Sequence, residues 1–292
     1  MSAVGVGRPP VRGRTVLAHV GLIAGALVML YPLAYIVLTA FSAEGASTSA
    51  GLIPDRFSLN AFRTIFGGQV VLRALAISLG VTVVGTALSL LVTIGMAYGL
   101  SRTREVPGTR IVLWLVIGAM LFPTSMIPNF LLVKQLGLLN SWWAIILPVL
   151  LSAFNLIVMR NFFMELPTEL FEAARLDGAS EWHIMTRIVL PLSKAVLAVI
   201  GLFYAVAYWN AFFNALIYIQ STEKWPMALV LRTFVVNQTT IGGDQVGASE
   251  VIPPQLPMQM AILVVAIVPI LIVYPFIQRH FAKGVMIGAV KG

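Results

Sequence analysis

The sequence predicts an all-α, polytopic membrane protein with six transmembrane helices. Three observations carry that prediction. Of 292 residues, 59% are hydrophobic and only 10% are charged, against about 25% charged in a soluble domain. The apolar residues fall into six long runs, and roughly 20 such residues, at about 1.5 Å each, cross the hydrocarbon core as a helix. All eleven acidic residues lie outside those runs. Backbone polar groups in lipid must be satisfied within their own segment, so the runs are read as helices and not as open strands.

The predicted spans are residues 16–41, 75–100, 111–133, 142–162, 195–219 and 258–277. The first follows Arg8, Arg12 and Arg14, a basic start that a secretory leader shares. Its apolar run of about 25 residues exceeds the roughly 7–15 of a signal h-region, so it is read as a retained anchor. Lys and Arg set the orientation. With the N-terminus in the cytoplasm, that side holds thirteen of the nineteen basic residues, among them Arg102, Arg104, Arg110, Arg160, Arg175, Arg187 and Lys194. The other side holds Arg56, Arg63, Arg73, Lys134, Lys224 and Arg232. The net charge of +8 is therefore read as membrane topology, and nucleic acid is not expected as a partner. Residues 1–15 and 282–292 become cytoplasmic tails around a single membrane domain, 16–281.

Several chemistries are excluded. The chain has no cysteine, hence no disulfide, iron–sulfur cluster or thiolate metal site. His19, His183 and His280 are scattered and form no metal-ligand pair. No Gly-x-x-x-x-Gly-Lys-Ser/Thr pattern occurs, so the chain has no P-loop of its own. No nucleophile–base constellation stands out, and no enzyme activity is expected. Ion-coupled carriers often place carboxylates at mid-membrane depth, and here none is so placed. Sodium sites made of backbone carbonyls alone leave that class open as an alternative. If transport is uphill, its energy comes from another chain.

Two loops are long. The external one, 220–257, carries turn chemistry at Gly242-Gly243 and Pro253-Pro254. Its apolar middle, 225–236, is expected to lie on the membrane or on the protein. The internal loop, about 160–194 with its central stretch at about 165–191, is the informative one. Pro167 suits a helix start. Residues 168–176 are good helix formers, with Leu170, Ala173, Ala174 and Leu176 able to share a face. Gly178 permits a left-handed stop, and Ser180 can cap a second short helix. Ile188 and Leu190 continue its apolar side until Pro191. Glu165, Glu169 and Glu172 make this helical knob a poor match to an anionic leaflet, so a protein partner is expected instead.

Glu172-Ala173-Ala174, Gly178 four residues on, Ile188 and Leu190-Pro191 resemble the EAA loop of bacterial ABC importer permeases, in both spacing and place between spans. The six-span layout, Trp209-Asn210 and the ending Gly288-Ala289-Val290-Lys291-Gly292 resemble the carbohydrate-uptake branch, and within it the second permease of maltose-type or multiple-sugar-type importers. The chain departs from that branch in having Asn214-Ala215 where relatives often carry proline. The resemblance implies an ABC importer permease fold in a bacterial cytoplasmic membrane. It implies a homologous partner permease, two ATP-binding subunits and an extracytoplasmic solute-binding protein. ATP and magnesium would be bound by the partner ATPase and no cofactor by this chain. Glu169, Glu172, Ala173, Ala174, Asp177, Gly178, Ile188, Leu190 and Pro191 would form the ATPase-coupling loop.

Sugar recognition uses amides, hydroxyls and aromatic faces, and such groups are costly in lipid unless paired or facing a cavity. Tyr204, Tyr208, Trp209, Asn210 and Asn214 in the fifth span, with Asn129 and Asn155, are the candidates for a substrate path. Asn210 and Asn214 are expected to share a helix face. The alternative role for the whole set is hydrogen bonding between helices. An ABC permease for a non-sugar solute, or an ion-coupled carrier, remains the competing functional reading.

Overall fold

The structure, a computed structural model, describes residues 12–43, 54, 56–103, 105–236 and 255–289, and leaves aside the side chains of 12–16, 235–236, 255, 274 and 276–289. Gly242-Gly243, Pro253-Pro254, Arg8, Arg104 and the last three residues of the chain lie outside the described residues. Among the described residues the regular elements are all helices, apart from one isolated bridge between Ser42 and Phe57.

Three helices are long and apolar enough to cross a membrane unbroken: α1 (Arg12–Ala40), α3 (Gln69–Ser101) and α14 (Gln255–Ala289). A short helix, α2 (Asn60–Gly67), leads into α3 through Gly68. The other predicted spans are bent, and the count reaches six when each bent pair is one span. The predicted span 111–133 divides into α4 (Thr109–Leu121) and α5 (Met126–Gln135), which meet at 119°. Pro123 disfavours helical geometry at the residue before it, and Phe122 sits at φ −119°, ψ 74°. With 13 residues, α4 is only about 20 Å long. The span 142–162 runs as α6 (Trp143–Ile146), a tight turn through Pro148, and α7 (Ala153–Met164), bent by 51°.

The loop after α7 forms α8 (Thr168–Leu176) and α9 (Glu181–Ile184), followed by a widened π turn over Met185–Val189 and α10 (Leu190–Leu192). Pro191 has no N–H, and its ring would press on the carbonyl four residues back; the wider turn before it relieves both. The chain then bends by 83° into α11 (Lys194–Trp209). The predicted span 195–219 does not continue as one helix. It breaks at Asn210-Ala211 and resumes as α12 (Phe212–Tyr218). The 225–236 stretch, expected on the membrane or on the protein, lies on the protein. Its helix α13 (Met227–Leu231) buries Met227, Leu229 and Val230, and the Met227 N–H donates to Ser78 Oγ at 2.7 Å.

Helix α3 is the axis of the bundle, with α7, α11 and α13 packed along it and α14 against α11 and α1. One core joins Val81, Ala97, Leu156, Met159, Ile184 and Ile200. A second, around the N-terminal end of α3, joins Ile65, Ala74, Met227, Val230 and Ile262. Apolar side chains on the outside of α1, such as Leu22 and Met29, are exposed, as a lipid-facing surface requires.

A lock between Asn140 and the segment after α12 was not legible in the sequence. Asn140 adopts a left-handed φ of 58°. Its Oδ1 accepts the N–H groups of Gln220 (3.2 Å) and Ser221 (3.0 Å), and its Nδ2 donates to Ser221 Oγ at 2.8 Å. Its own N–H donates to the Tyr218 carbonyl at 2.8 Å. Asn140→Ala leaves two backbone donors unpaired and is expected to destabilise the fold by about 2 kcal/mol. A lower midpoint in a detergent unfolding titration would show it; an unmoved midpoint would make the lock dispensable.

Candidate functional site

The 165–191 loop is built by its turn. Helix α8 ends at Asp177, and Gly178 takes φ +79°. The Gly178 N–H donates to the Arg175 carbonyl (3.0 Å) and the Ala179 N–H to the Ala174 carbonyl (2.9 Å). This is the paired pattern of a Schellman stop, in which only glycine carries no penalty for the left-handed residue. Ser180 Oγ then accepts the His183 N–H at 3.3 Å and starts α9.

The four apolar residues read as able to share a face of α8 differ in burial. Phe171 is buried and Ala174 half-buried, three apart, whereas Leu170, Ala173 and Leu176 face outward. The reason is Phe171. It inserts under the guanidinium of Arg102, 4.3 Å from its ring centre, and turns Leu176 out. Glu169, Glu172, Asp177 and Gly178 are exposed, and Glu172 makes no ion pair among the described residues. Leu176 is 89% exposed and Trp182 71%, two apolar side chains on the surface of this loop. Ile188 and Leu190 are half-buried and Pro191 exposed, while Ile184 and Val189 fill the core beneath.

A polar clamp fastens this knob to the membrane bundle. Arg175 on α8 donates from Nε to Glu181 Oε1 (3.0 Å) and from NH1 to Glu105 Oε1 (3.1 Å). Its NH2 also pairs with Glu105 Oε2. Tyr98, on the last turn of α3, donates its hydroxyl to Glu181 Oε2. Arg102 lies over the Tyr98 ring at 5.1 Å and donates to the Tyr98 hydroxyl at 3.2 Å. Arg160 on α7 reaches the Leu100 carbonyl at 2.9 Å. The hydrogen bonds from Arg175 hold the Glu105 carboxyl below the ordinary glutamate range, and the Arg175 guanidinium is raised by the same bonds. Sequence reading named none of Tyr98, Arg102, Glu105, Arg175 or Glu181 as site residues.

The structure separates the predicted path residues. Tyr204 and Tyr208 are 2% and 3% exposed, and both hydroxyls are engaged between helices. Tyr204 pairs with Thr93 at 2.7 Å and accepts the Ser152 N–H at 3.0 Å. Tyr208 pairs with Ser89 at 2.8 Å and donates to the Ile146 carbonyl at 3.3 Å. The Tyr208 ring rests on Gly85, where a Cβ would come within 2.7 Å of it. One edge of Tyr204 also reaches a cavity of about 440 Å³, shared with Asn155, Phe154 and Phe203. Trp209 lines a different, apolar groove of about 540 Å³ between α3, α11 and α14. The expectation that Asn210 and Asn214 share a face fails. Asn210 ends α11, its Nδ2 closing the last turn on the Val206 carbonyl at 2.9 Å, and Asn214 sits on α12 beyond the break. Asn129 is half-buried on α5, apart from these cavities.

The family profile described as "Binding-protein-dependent transport system inner membrane component" matches residues 89–287. The chain belongs to this family. The match begins in α3, takes in the whole 165–191 loop and ends in α14. The polygalacturonan/rhamnogalacturonan transport system permease protein YtcP of Bacillus subtilis (strain 168) is 45% identical over 275 residues, covering 93% of this chain and 96% of that protein. Protein LplC of the same organism is 47% identical over 272 residues, covering 92% of this chain and 91% of that protein. In the crystal structure of a bacterial ABC transporter involved in the import of the acidic polysaccharide alginate, one chain matches this permease with a TM-score of 0.86. It is 29% identical, over 95% of this permease and 100% of that chain. The fold is thus that of an ABC importer permease. The permease is the inner-membrane, multi-pass component of a transporter, not an enzyme, and the family assigns it no cofactor.

Proposed function

We propose that this permease is one of two membrane subunits of an ATP-driven oligosaccharide importer, and that α8 is the element an ATPase subunit grips. The observation that carries this is the uncovered surface of the knob. Leu176 and Trp182 are exposed, as are Glu169, Glu172 and Asp177 of the same loop. Apolar side chains rimmed by charge are what a protein groove accepts, and the carboxylates disfavour an anionic leaflet. Thirteen of nineteen basic residues fall on the knob's side of the membrane, which supports cytoplasmic termini. Closure of two ATPases on ATP would pull the two knobs and rock the bundles between inward-open and outward-open states. An extracytoplasmic binding protein would deliver the sugar. The named substrates of the relatives support a saccharide, and Asn155, facing a cavity with Tyr204, is the path residue that the geometry favours. Tyr208 serves to hold α11 on α3.

The test is assembly and stimulation. Co-expressed with its genomic neighbours and reconstituted, the wild-type complex should hydrolyse ATP faster when the binding protein and its oligosaccharide are supplied. Glu172→Lys should lose most of the co-purifying ATPase. Full recovery of the ATPase with that variant would remove α8 as the docking element. Stimulation by a non-sugar solute alone would remove the saccharide.

A further inference from the structure

At the end of the bundle opposite the knob, a cleft of about 400 Å³ opens between α3 and the α6 region. Its walls are Gly80, Val81 and Val84 on one side and Ser141, Trp142, Trp143 and Ile146 on the other, with Lys224 at its rim. Gly80 lies eighteen residues before Tyr98 on α3, so the cleft is about 27 Å along the helix from the clamp. A Cβ at Gly80 would meet nothing within 4 Å, so the space beside that wall is open. Trp142 and Trp143 are 47% and 46% exposed.

The lysine is placed, not loose. Lys224 Nζ donates to the Asn140 carbonyl at 2.8 Å, and Asn140 is itself fixed by four further hydrogen bonds to Tyr218, Gln220 and Ser221. An ammonium has three donors, so two remain for a ligand. Lys224 forms no ion pair among the described residues. Indole faces take the C–H face of a pyranose, an ammonium takes a carboxylate, and the Ser141 hydroxyl takes a ring hydroxyl. Tryptophan and lysine also occur together at membrane interfaces as anchors, but a snorkelling lysine is free to follow the headgroups. This one is pinned beside a walled cleft.

We infer that the Trp142–Trp143–Lys224 cleft is an external binding site for a uronic-acid unit of the saccharide. This rests on the oligosaccharide reading above and narrows it to acidic sugars. The probes are trigalacturonate and its fully methyl-esterified, neutral form. Equilibrium binding of each is measured to the purified assembled transporter in nanodiscs, with no binding protein present, in zwitterionic and in anionic lipid.

Lys224→Met should weaken trigalacturonate binding by about tenfold, the loss of one charge-assisted contact, and leave the ester unmoved. Lys224→Arg should keep most of the preference for the acid, and Trp142→Ala should weaken both probes. Equal losses for acid and ester with Lys224→Met would make the lysine structural and overturn the site. So would variants that change nothing, or binding of neither probe. An effect of Lys224→Met that appears only in anionic lipid would assign the cleft to a headgroup and overturn it as well. The parent reading is scored separately, by uptake of the same sugars in proteoliposomes with the binding protein. Uptake that continues while the cleft variants change nothing sinks this inference alone; no uptake of any oligosaccharide sinks both.

Discussion

Reversing the charge of Arg175, by Arg175→Glu, is expected to lower sugar uptake by the assembled importer at least about tenfold while its ATPase subunits stay bound. Exposed ion pairs contribute only about 0–1 kcal/mol to stability, so the fold should survive. The effect lies in transmission. Arg175 is the one side chain of α8 that holds both Glu105, in the loop after α3, and Glu181, at the start of α9. The variant would put a third carboxylate where two already converge, and the knob would part from Tyr98 and the end of α3. The outward face of α8, with Glu169, Glu172 and Leu176, is untouched, so ATPase co-purification and unstimulated hydrolysis should persist. Adding Glu105→Arg re-forms one opposite pair and should restore part of the uptake. Loss of uptake only in proportion to lost protein, with no recovery in the double variant, would show a purely structural role.

The same clamp sets a pH dependence. The Glu105 carboxyl is held below its ordinary value chiefly by its hydrogen bond from Arg175. A depressed acid contributes its stabilisation in full above the unfolded value, about 4.3 for glutamate, and loses it as pH falls through the lower folded value. The coupling of wild-type protein should therefore be flat with respect to this pair from neutral pH down to about 5.

How far the sequence reveals these features depends on whether their cause is local. The turn of the coupling loop is local. Gly178 supplies the left-handed residue and Ser180 the cap within five residues of α8, and both act as the sequence predicts. The clamp is not local. Glu105 lies seventy residues from Arg175, and an acid in one basic loop carries no mark of the arginine it will meet. The helix breaks fall between these cases. Pro123 and Pro148 are visible, yet apolar content alone extends a span through them, because hydropathy counts residues and ignores missing N–H groups. The ladder between α3 and α11 had a signal that was not used. Ser89 and Thr93 are four apart, as are Tyr204 and Tyr208, and each pair presents one helix face. Two small hydroxyls and two phenols at matching spacing in apolar helices are suited to pair antiparallel, as Ser89–Tyr208 and Thr93–Tyr204 do.

Gly178→Val is expected to cut coupled uptake at least about tenfold, and Gly178→Asn to retain most of it. The contrast separates conformation from size. A Cβ at Gly178 would meet nothing within 4 Å, so a larger side chain has room and a steric account predicts no loss for any substitution. The backbone account predicts a ranked loss. At φ +79° an ordinary L-residue carries a penalty of about 1–2 kcal/mol, a β-branched one is worst placed, and asparagine tolerates the region. Valine would press the turn toward right-handed geometry and break the bonds from Gly178 and Ala179 to the Arg175 and Ala174 carbonyls. Helix α9 would then leave its angle to α8, carrying Glu181 away from Arg175. Uptake should fall in the order glycine, asparagine, alanine, valine, with ATPase co-purification weakening in step. Three substitutions with equal effects, or none with any, would show that the left-handed turn does not set the geometry of coupling.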